Sequence, residues 1–186
     1  MELDMSWAAT YNLKLSAGLG IYDAELTENY CGAIDANGNP VTSCPADELQ
    51  SPKGTRLPVT ADTKGNITAR YTFDIGEYEA YWQGAYVYEG KRSSDLRTAE
   101  NDILGDLPSY QMFDFSIGVR RNSWSVDLYV KNLFDENAQY SRFTQCNENV
   151  CGNGPGAPVP PRFTNGQVYS VAAQPRTIGI KFSQEF

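Results

Sequence analysis

The sequence predicts an all-β fold: a segment of an antiparallel up-and-down transmembrane β-barrel, about seven strands joined alternately by short turns and long loops. Three observations predict it. Stretches of about nine to twelve residues alternate apolar and polar side chains with period two, the length of a tilted strand crossing hydrocarbon. The connections sort by length, short near 8–12, 75–77 and 121–123 and long at 25–64, 89–109 and 144–175. Both faces of a soluble sandwich could mix such lengths, whereas an outer-membrane barrel keeps its short turns at the periplasmic end. Finally, all four cysteines fall in the long connections and none in a strand.

Composition narrows the function classes. At 186 residues and 41% hydrophobic content the chain can bury one sizeable core, yet its apolar residues never run near the length of a transmembrane helix. A net charge of -8 with no offsetting basic patch argues against a nucleic-acid partner. With no His and no paired Cys-x-x-Cys, a zinc site is not expected, nor is any other metal or cofactor. The absence of His also removes Ser/His/Asp chemistry, and no Gly-rich phosphate loop precedes a helix, so the chain is not expected to be an enzyme.

The strands follow in order. Met1 to Trp7 places Leu3, Met5 and Trp7 on one face and Glu2, Asp4 and Ser6 on the other; it lacks the basic and apolar regions of a signal peptide. Leu13, Leu15, Ala17, Leu19 and Ile21 define a second strand, reaching Ala24. After the loop at 25–64, Ile67, Ala69, Tyr71, Phe73 and Ile75 resume the alternation, and Gly76-Glu77 turns the chain into Tyr78 to Tyr88. Both faces of that run are partly apolar, and Ala80, Trp82, Gly84, Tyr86 and Tyr88 are assigned to the lipid side. Phe113, Phe115, Ile117 and Val119 then pair across Arg121-Asn122-Ser123 with Trp124, Val126, Leu128 and Val130, the clearest hairpin in the sequence. The strand is expected to bend at Asn132 to Asp135 and run on through Tyr140 to Phe143. The closing strand, Arg176 to Phe186, carries Ile178, Ile180, Phe182 and Phe186 on one face, with Gln184 the polar exception.

A periplasmic end at Phe186 places all three long loops outside the membrane. The separations Cys31–Cys44 and Cys146–Cys151 suit two local disulfides of an exported protein, free thiols being the alternative. Seven strands cannot close a barrel of the usual even-stranded kind, so further strands are expected on the N-terminal side.

Several segments resemble a known family. Leu3-Asp-Met-Ser-Trp7, Gly18-Leu-Gly20 leading to Asp23-Ala24, Arg56-Leu-Pro58, Val130-Lys-Asn-Leu-Phe-Asp135 and Gln174-Pro-Arg-Thr-Ile-Gly-Ile-Lys-Phe182 with terminal Phe186 resemble the C-terminal third of TonB-dependent outer-membrane receptors. The resemblance covers essentially the whole chain. It implies that residues 1–186 are the C-terminal part of a 22-stranded barrel in the bacterial outer membrane, with the plug domain and the first barrel strands lying outside this sequence. It implies as partners the outer-membrane lipid, the N-terminal barrel and plug of the same receptor, and TonB through the plug. Ile178, Ile180, Phe182 and Phe186 resemble the signal read by the outer-membrane assembly machinery, which an extended apolar edge can engage by strand addition. The implied function is active import of a scarce nutrient, whether siderophore, cobalamin or oligosaccharide, with TonB-coupled energy.

Other residues are candidate sites. Tyr30, Tyr110, Tyr140, Phe143, Phe163 and Tyr169 lie near the expected outer rim, where aromatics either form the interfacial girdle or stack on a ligand. Asp35-Ala-Asn-Gly-Asn39 opens like a calcium loop, but Ala46 occupies the twelfth position and a solvated turn is the better reading. Acidic loop residues including Glu25, Glu28, Asp47 and Glu48 read as a solvated face, and Asp114, Arg120, Asp127 and Lys131 as cross-strand ion pairs on the inner wall. The competing readings are a secreted lectin-like β-sandwich binding glycans through aromatic loops and a β-rich hydrolase. The discriminating feature is the apolar face of the Phe113–Val130 hairpin: exposed to lipid in a barrel, covered by a second sheet in a sandwich.

Overall fold

The computed structural model describes residues 1–145 and 167–185. Among these residues, nine strands and one short helix run in the order β1 (Glu2–Ala8), β2 (Leu13–Ile21), β3 (Thr63–Ile75), β4 (Tyr78–Glu89), α1 (Thr98–Leu104), β5 (Tyr110–Arg121), β6 (Trp124–Lys131), β7 (Gln139–Gln145), β8 (Gln167–Ala172) and β9 (Thr177–Gln184). Seven form one antiparallel sheet in the order β1-β2-β3-β4-β5-β6-β9, and β7 and β8 make a separate two-stranded sheet. The seven-stranded sheet is an open barrel segment whose edge strands, β1 and β9, are each paired on one side.

The alternation in the sequence becomes two faces because the register aligns like with like. On one face the rows run Leu15–Ala69–Gly84–Phe115–Val130–Ile178, then Leu13–Tyr71–Trp82–Ile117–Leu128–Ile180, then Phe73–Ala80–Val119–Val126–Phe182. β4, apolar on both sides, is fixed by its neighbours: Trp82 pairs with Tyr71, their rings stacked at 5.9 Å, and with Ile117 across β5. A slip of one residue would face all of these side chains against polar ones, so the flanking strands select the register. Two-residue turns close the hairpins, with Gly76 (φ 62°) and Asn122 (φ 52°) in the left-handed region such turns require.

No second sheet covers the apolar face among the described residues. Trp7, Ile117, Leu128, Ile180 and Phe182 remain exposed, Ile180 at 74%. A water-soluble protein rarely leaves so large a contiguous apolar band uncovered. The sandwich reading is thereby lost, because its core would have to lie here. The opposite face is polar, and two tyrosines on it lie against glycines on the neighbouring strand: Tyr81 against Gly118 and Tyr129 against Gly179.

The structure differs from the sequence reading in three places. β6 does not bend and continue to Phe143; it ends at Lys131, and the chain re-enters extended structure only at Gln139, in β7. The region read as loop at 144–175 contains β8, which pairs with β7 in the register Phe143↔Tyr169. The loop at 89–109 holds α1, and β5 begins directly after it at Tyr110. Phe163, Cys146, Cys151 and Phe186 lie outside the described residues.

Candidate functional site

The long connections, 22–62, 90–109 and 132–176, all leave the same end of the sheet, and the last of them is shaped by a knot at Asn132. Asn132 takes φ 50° and is 4% exposed. Its backbone N–H donates to Asp114 Oδ1 at 2.8 Å, its side-chain amide donates to the carbonyls of Glu136 (2.9 Å) and Gln174 (3.0 Å), and its Oδ1 accepts from the Glu136 N–H (2.8 Å). Asp135, also left-handed at φ 57°, accepts the Arg176 N–H through Oδ1 at 2.8 Å. The segments Lys131–Asp135 and Gln174–Arg176 are thus two halves of one hydrogen-bonded exit and re-entry. Leu133 takes part through its backbone, donating to the Phe113 carbonyl at 2.7 Å, while Phe134 stays 75% exposed beside the Phe113 ring.

The first loop folds back on itself. Bridges pair Glu25 with Arg56, Tyr30 with Ser51 and Ile34 with Pro40, and Arg56 forms an ion pair with Asp62. Cys31 and Cys44 are joined by a disulfide, with Cα atoms 6.1 Å apart and a sequence separation of 13. Asp35 folds its carboxylate onto its own turn: Oδ1 accepts the N–H groups of Asn37 and Asn39, each at 2.8 Å. Those bonds, Asn39 foremost, hold its carboxyl below the usual range. Among the described residues no group of Cys, Asp or Glu is arranged to hold a metal ion. Replacing both Cys31 and Cys44 with serine should release about 3 kcal/mol of constraint. The loss should be local: pulsed trypsin digestion is expected to cut at Lys53 and Arg56 sooner, with the sheet's own melting unchanged.

The three connections then lock together. Ser51 Oγ donates to the Leu96 carbonyl at 2.5 Å, and Thr98 donates through N and Oγ1 to the Gln50 carbonyl, both at 3.0 Å. Arg142, on β7, donates to the carbonyls of Leu104 (2.9 Å) and Asp106 (3.2 Å) at the end of α1. Arg92 is the centre of the arrangement. Buried to 4% exposure, it pairs through its backbone with Leu107 and donates through its guanidinium to the carbonyls of Gln139 (2.9 Å), Tyr140 (3.4 Å) and Gly90 (3.3 Å). The sequence distinguishes neither arginine: Arg92 falls in the polar loop at 89–109 and Arg142 in the extended run through Tyr140 to Phe143. The nearest signal is the position of Arg92 just after Gly90; nothing adjacent in sequence marks Arg142.

The aromatic candidates separate by environment. Tyr110 and Tyr140 are packing residues: their rings lie 5.6 Å apart in a small core with Ala138, Ala173 and Met112 on the polar face, and Tyr110 donates to Glu89 at 2.6 Å. Tyr30 holds the first loop through its backbone bonds with Ser51. Phe143 and Tyr169 stack on each other at 5.6 Å on the β7–β8 hairpin and keep 44% and 42% exposure. Ile178, Ile180 and Phe182 stand on the apolar face of edge strand β9. The charges of the inner wall pair less simply than expected. Asp127 accepts from the Tyr81 hydroxyl at 2.7 Å, Tyr81 carries the Arg70 guanidinium over its ring at 3.6 Å, Asp114 serves Asn132, and Arg120 meets Glu185 at 3.9 Å.

Two carboxylates anchor the second loop. Hydrogen bonds from Arg97 hold Asp95 below the ordinary carboxylate range, and those from Lys91 and Asn101 do the same for Asp106. Depressed folded-state values mean that their contribution is complete above the unfolded value of about 3.9 and disappears as pH falls through the lower folded one. Hydrogen exchange in residues 91–106 should therefore be flat between pH 7 and 5, once corrected for intrinsic rates, and should rise below about pH 4.

The interlocked connections thus gather at one end of the sheet, where β2, β4 and β6 end. Over residues 1–133 the sequence matches the family described as TonB dependent receptor-like, beta-barrel. The chain belongs to this family. Two solved structures resemble this TonB-dependent receptor barrel segment. The ferric yersiniabactin uptake receptor FyuA from Yersinia pestis aligns with 100% of this chain and 23% of its own, at a TM-score of 0.63 and 13% identity. The siderophore receptor PiuA from Acinetobacter baumannii aligns with 97% of this chain and 20% of its own, at 0.61 and 18%. At such identities the likeness is one of fold, and the chain spans less than a quarter of either receptor. No curated protein matches the sequence. The family and both neighbours are receptors rather than enzymes, and barrels of this family sit in the bacterial outer membrane.

Proposed function

We propose that the chain is the C-terminal part of the barrel of an outer-membrane receptor that imports a scarce nutrient, a siderophore, cobalamin or oligosaccharide, with energy delivered by TonB through a plug. The observation that carries this reading is the uncovered apolar face of a single sheet whose long connections all leave one end. In lipid that face is solvated by acyl chains and the polar face lines the lumen. The edges of β1 and β9 would pair with strands of the N-terminal barrel, which satisfies their outer backbone groups, as a bilayer demands. Ile178, Ile180 and Phe182, with Phe186, would present the assembly machinery with an extended apolar edge. The interlocked loops would form the ligand's entrance.

The test uses the whole receptor carrying this segment, in cells deleted for it. It should sediment with outer membranes, run faster on gels unboiled than boiled, and restore growth on the limiting nutrient only while TonB is intact. Recovery as a folded, detergent-free soluble monomer would overturn the proposal.

A further inference from the structure

We infer that the outward, apolar face of β3 to β6, at its short-turn end, holds one phosphatidylethanolamine molecule of the periplasmic leaflet; the inference rests on the receptor reading above. Two cavities adjoin there, each within the size range of small-molecule sites. One, of about 340 Å³, is apolar and opens on the lipid side of the sheet. Its smallest lining residues, Ala80 and Gly118, are buried, while Ile75, Trp82, Ile117 and Leu128 stand exposed around them. The groove arises because Ala80 holds a place in the row Phe73–Ala80–Val119–Val126–Phe182 that its neighbours fill with larger side chains. From Ile117 to Arg121 the strand covers about 13 Å, so the groove reaches from the middle of the apolar band toward the turns. The other cavity, of about 320 Å³, is polar and is lined by Gly76, Glu77, Tyr78, Arg121 and Asn122 among others. Consecutive residues divide between the two, Ile75 with Gly76 and Val119 with Arg120, so they are neighbours along both hairpins. An apolar slot that opens onto a polar one has the shape of an amphiphile.

The polar end selects the headgroup. Arg121 continues the outward row of β5 beyond Val119, beside Tyr78 and Trp124, whose rings meet edge to face at 5.9 Å. Aromatics at a strand end mark the membrane–water boundary, the depth of lipid headgroups. The Arg121 guanidinium lies over the Tyr78 ring at 5.2 Å, donates to its hydroxyl at 3.4 Å and pairs with the Glu77 carboxylate. Those bonds use two of the five N–H donors a guanidinium carries. The Arg121 side chain is 38% exposed and that of Glu77, on the turn, 75%. An ion pair so exposed is worth little, and it opens to admit a phosphate at small cost. The other charges of the polar cavity, Asp74, Glu79 and Arg120, belong to the inward-facing set of their strands, where they are register partners. The lipid side of this cavity thus presents one cation beside one anion. A phosphate joined to a primary ammonium complements both. Phosphatidylglycerol would set a bare negative charge beside Glu77, and the quaternary nitrogen of phosphatidylcholine has no N–H to donate to it.

Native mass spectrometry of the purified full-length receptor tests this, after exchange into detergent holding equal amounts of dioleoyl phosphatidylethanolamine, phosphatidylglycerol and phosphatidylcholine. The last lipid retained should be phosphatidylethanolamine, about tenfold over either competitor, the scale of one charge-assisted hydrogen bond. Arg121→Gln should lower its retention about tenfold, and Glu77→Gln should erase the preference over phosphatidylcholine. Ala80→Phe, which fills the groove, should abolish retention of all three. Leu15→Phe, on the same apolar face but on β2, should change nothing. Unboiled gel mobility verifies that each variant is folded; should Ala80→Phe fail that check, the two charge variants carry the test. Equal retention of the three lipids by the parent, or parent-like selectivity in either charge variant, overturns the inference. Fractionation of the same cells tells the two failures apart: an outer-membrane receptor that holds the three lipids alike loses only the lipid site, and a soluble product loses the receptor reading as well.

Discussion

Ile117→Arg is expected to destabilise the barrel in lipid by about 2–4 kcal/mol, the cost of a basic side chain on the lipid face near the bilayer midplane. Ile117 sits in the row Tyr71–Trp82–Ile117–Leu128–Ile180, near the middle of the apolar band, and is 43% exposed. The paired control is Ser116→Arg, one residue away and on the polar face, where it faces Gln83 and Tyr129. That change should cost less than about 1 kcal/mol, the scale of a surface substitution away from the core. Urea titration of the full-length receptor in lipid vesicles, followed by tryptophan fluorescence, measures both. Equal effects would sink the assignment of the two faces, since in a soluble sheet packed on both sides either arginine would be buried.

Asn132→Ala should be nearly as damaging, about 3 kcal/mol or more, because lost hydrogen bonds and backbone strain fall on one residue. The Glu136 N–H and the Glu136 and Gln174 carbonyls lose the partners that Asn132 supplies, in a site only 4% exposed. Alanine must also hold φ near 50°, a region that asparagine tolerates better. Asn132→Gly separates the terms, since it removes the side-chain bonds but relieves the backbone, and it should recover a fraction of the loss. Asn132→Asp keeps the bond from Glu136 and loses both donated ones. The rank order Asn, then Gly and Asp, then Ala is readable from the urea midpoints. An alanine variant as stable as the parent would mean that the knot does not hold the exit of β6.

The two halves of the fold were unequally legible. The seven strands of the large sheet could be read because each carries its own period-two pattern, and even β4, ambiguous alone, was decided by the phase of its neighbours Tyr71 and Ile117. What failed was structure without a periodic face. α1 is seven residues long with a single buried side chain, Leu104, too short for a helical stripe to show. β8 sits in a stretch rich in Gly and Pro, and its partner β7 lies more than twenty residues earlier, so neither advertises the pairing. Lys-Asn-Leu-Phe-Asp read as a packing bend because Leu133 and Phe134 are apolar; its action comes from the amide of Asn132 and the carboxylate of Asp135, whose partners are distant in sequence. The rim was legible only as a list of aromatics. The contacts that gather the rim run through Arg92, buried, and Arg142, half-buried, cations that nothing local in the sequence distinguishes from solvated ones.

The tyrosines resting against Gly118 and Gly179 bear on the shape of the molecule. A sheet that must curl into a cylinder has to spend less volume on its inner surface than on its outer one. Here the inner surface alternates a wide side chain with an empty position on the adjacent strand, at Tyr81–Gly118 and again at Tyr129–Gly179. Each ring fills its neighbour's vacancy instead of wedging the strands apart, so the concave side shortens while its rows remain filled. The inner surface is thus thinned where side chains have been left out, at the same two strand junctions whose outer surface carries Ile117, Leu128 and Ile180.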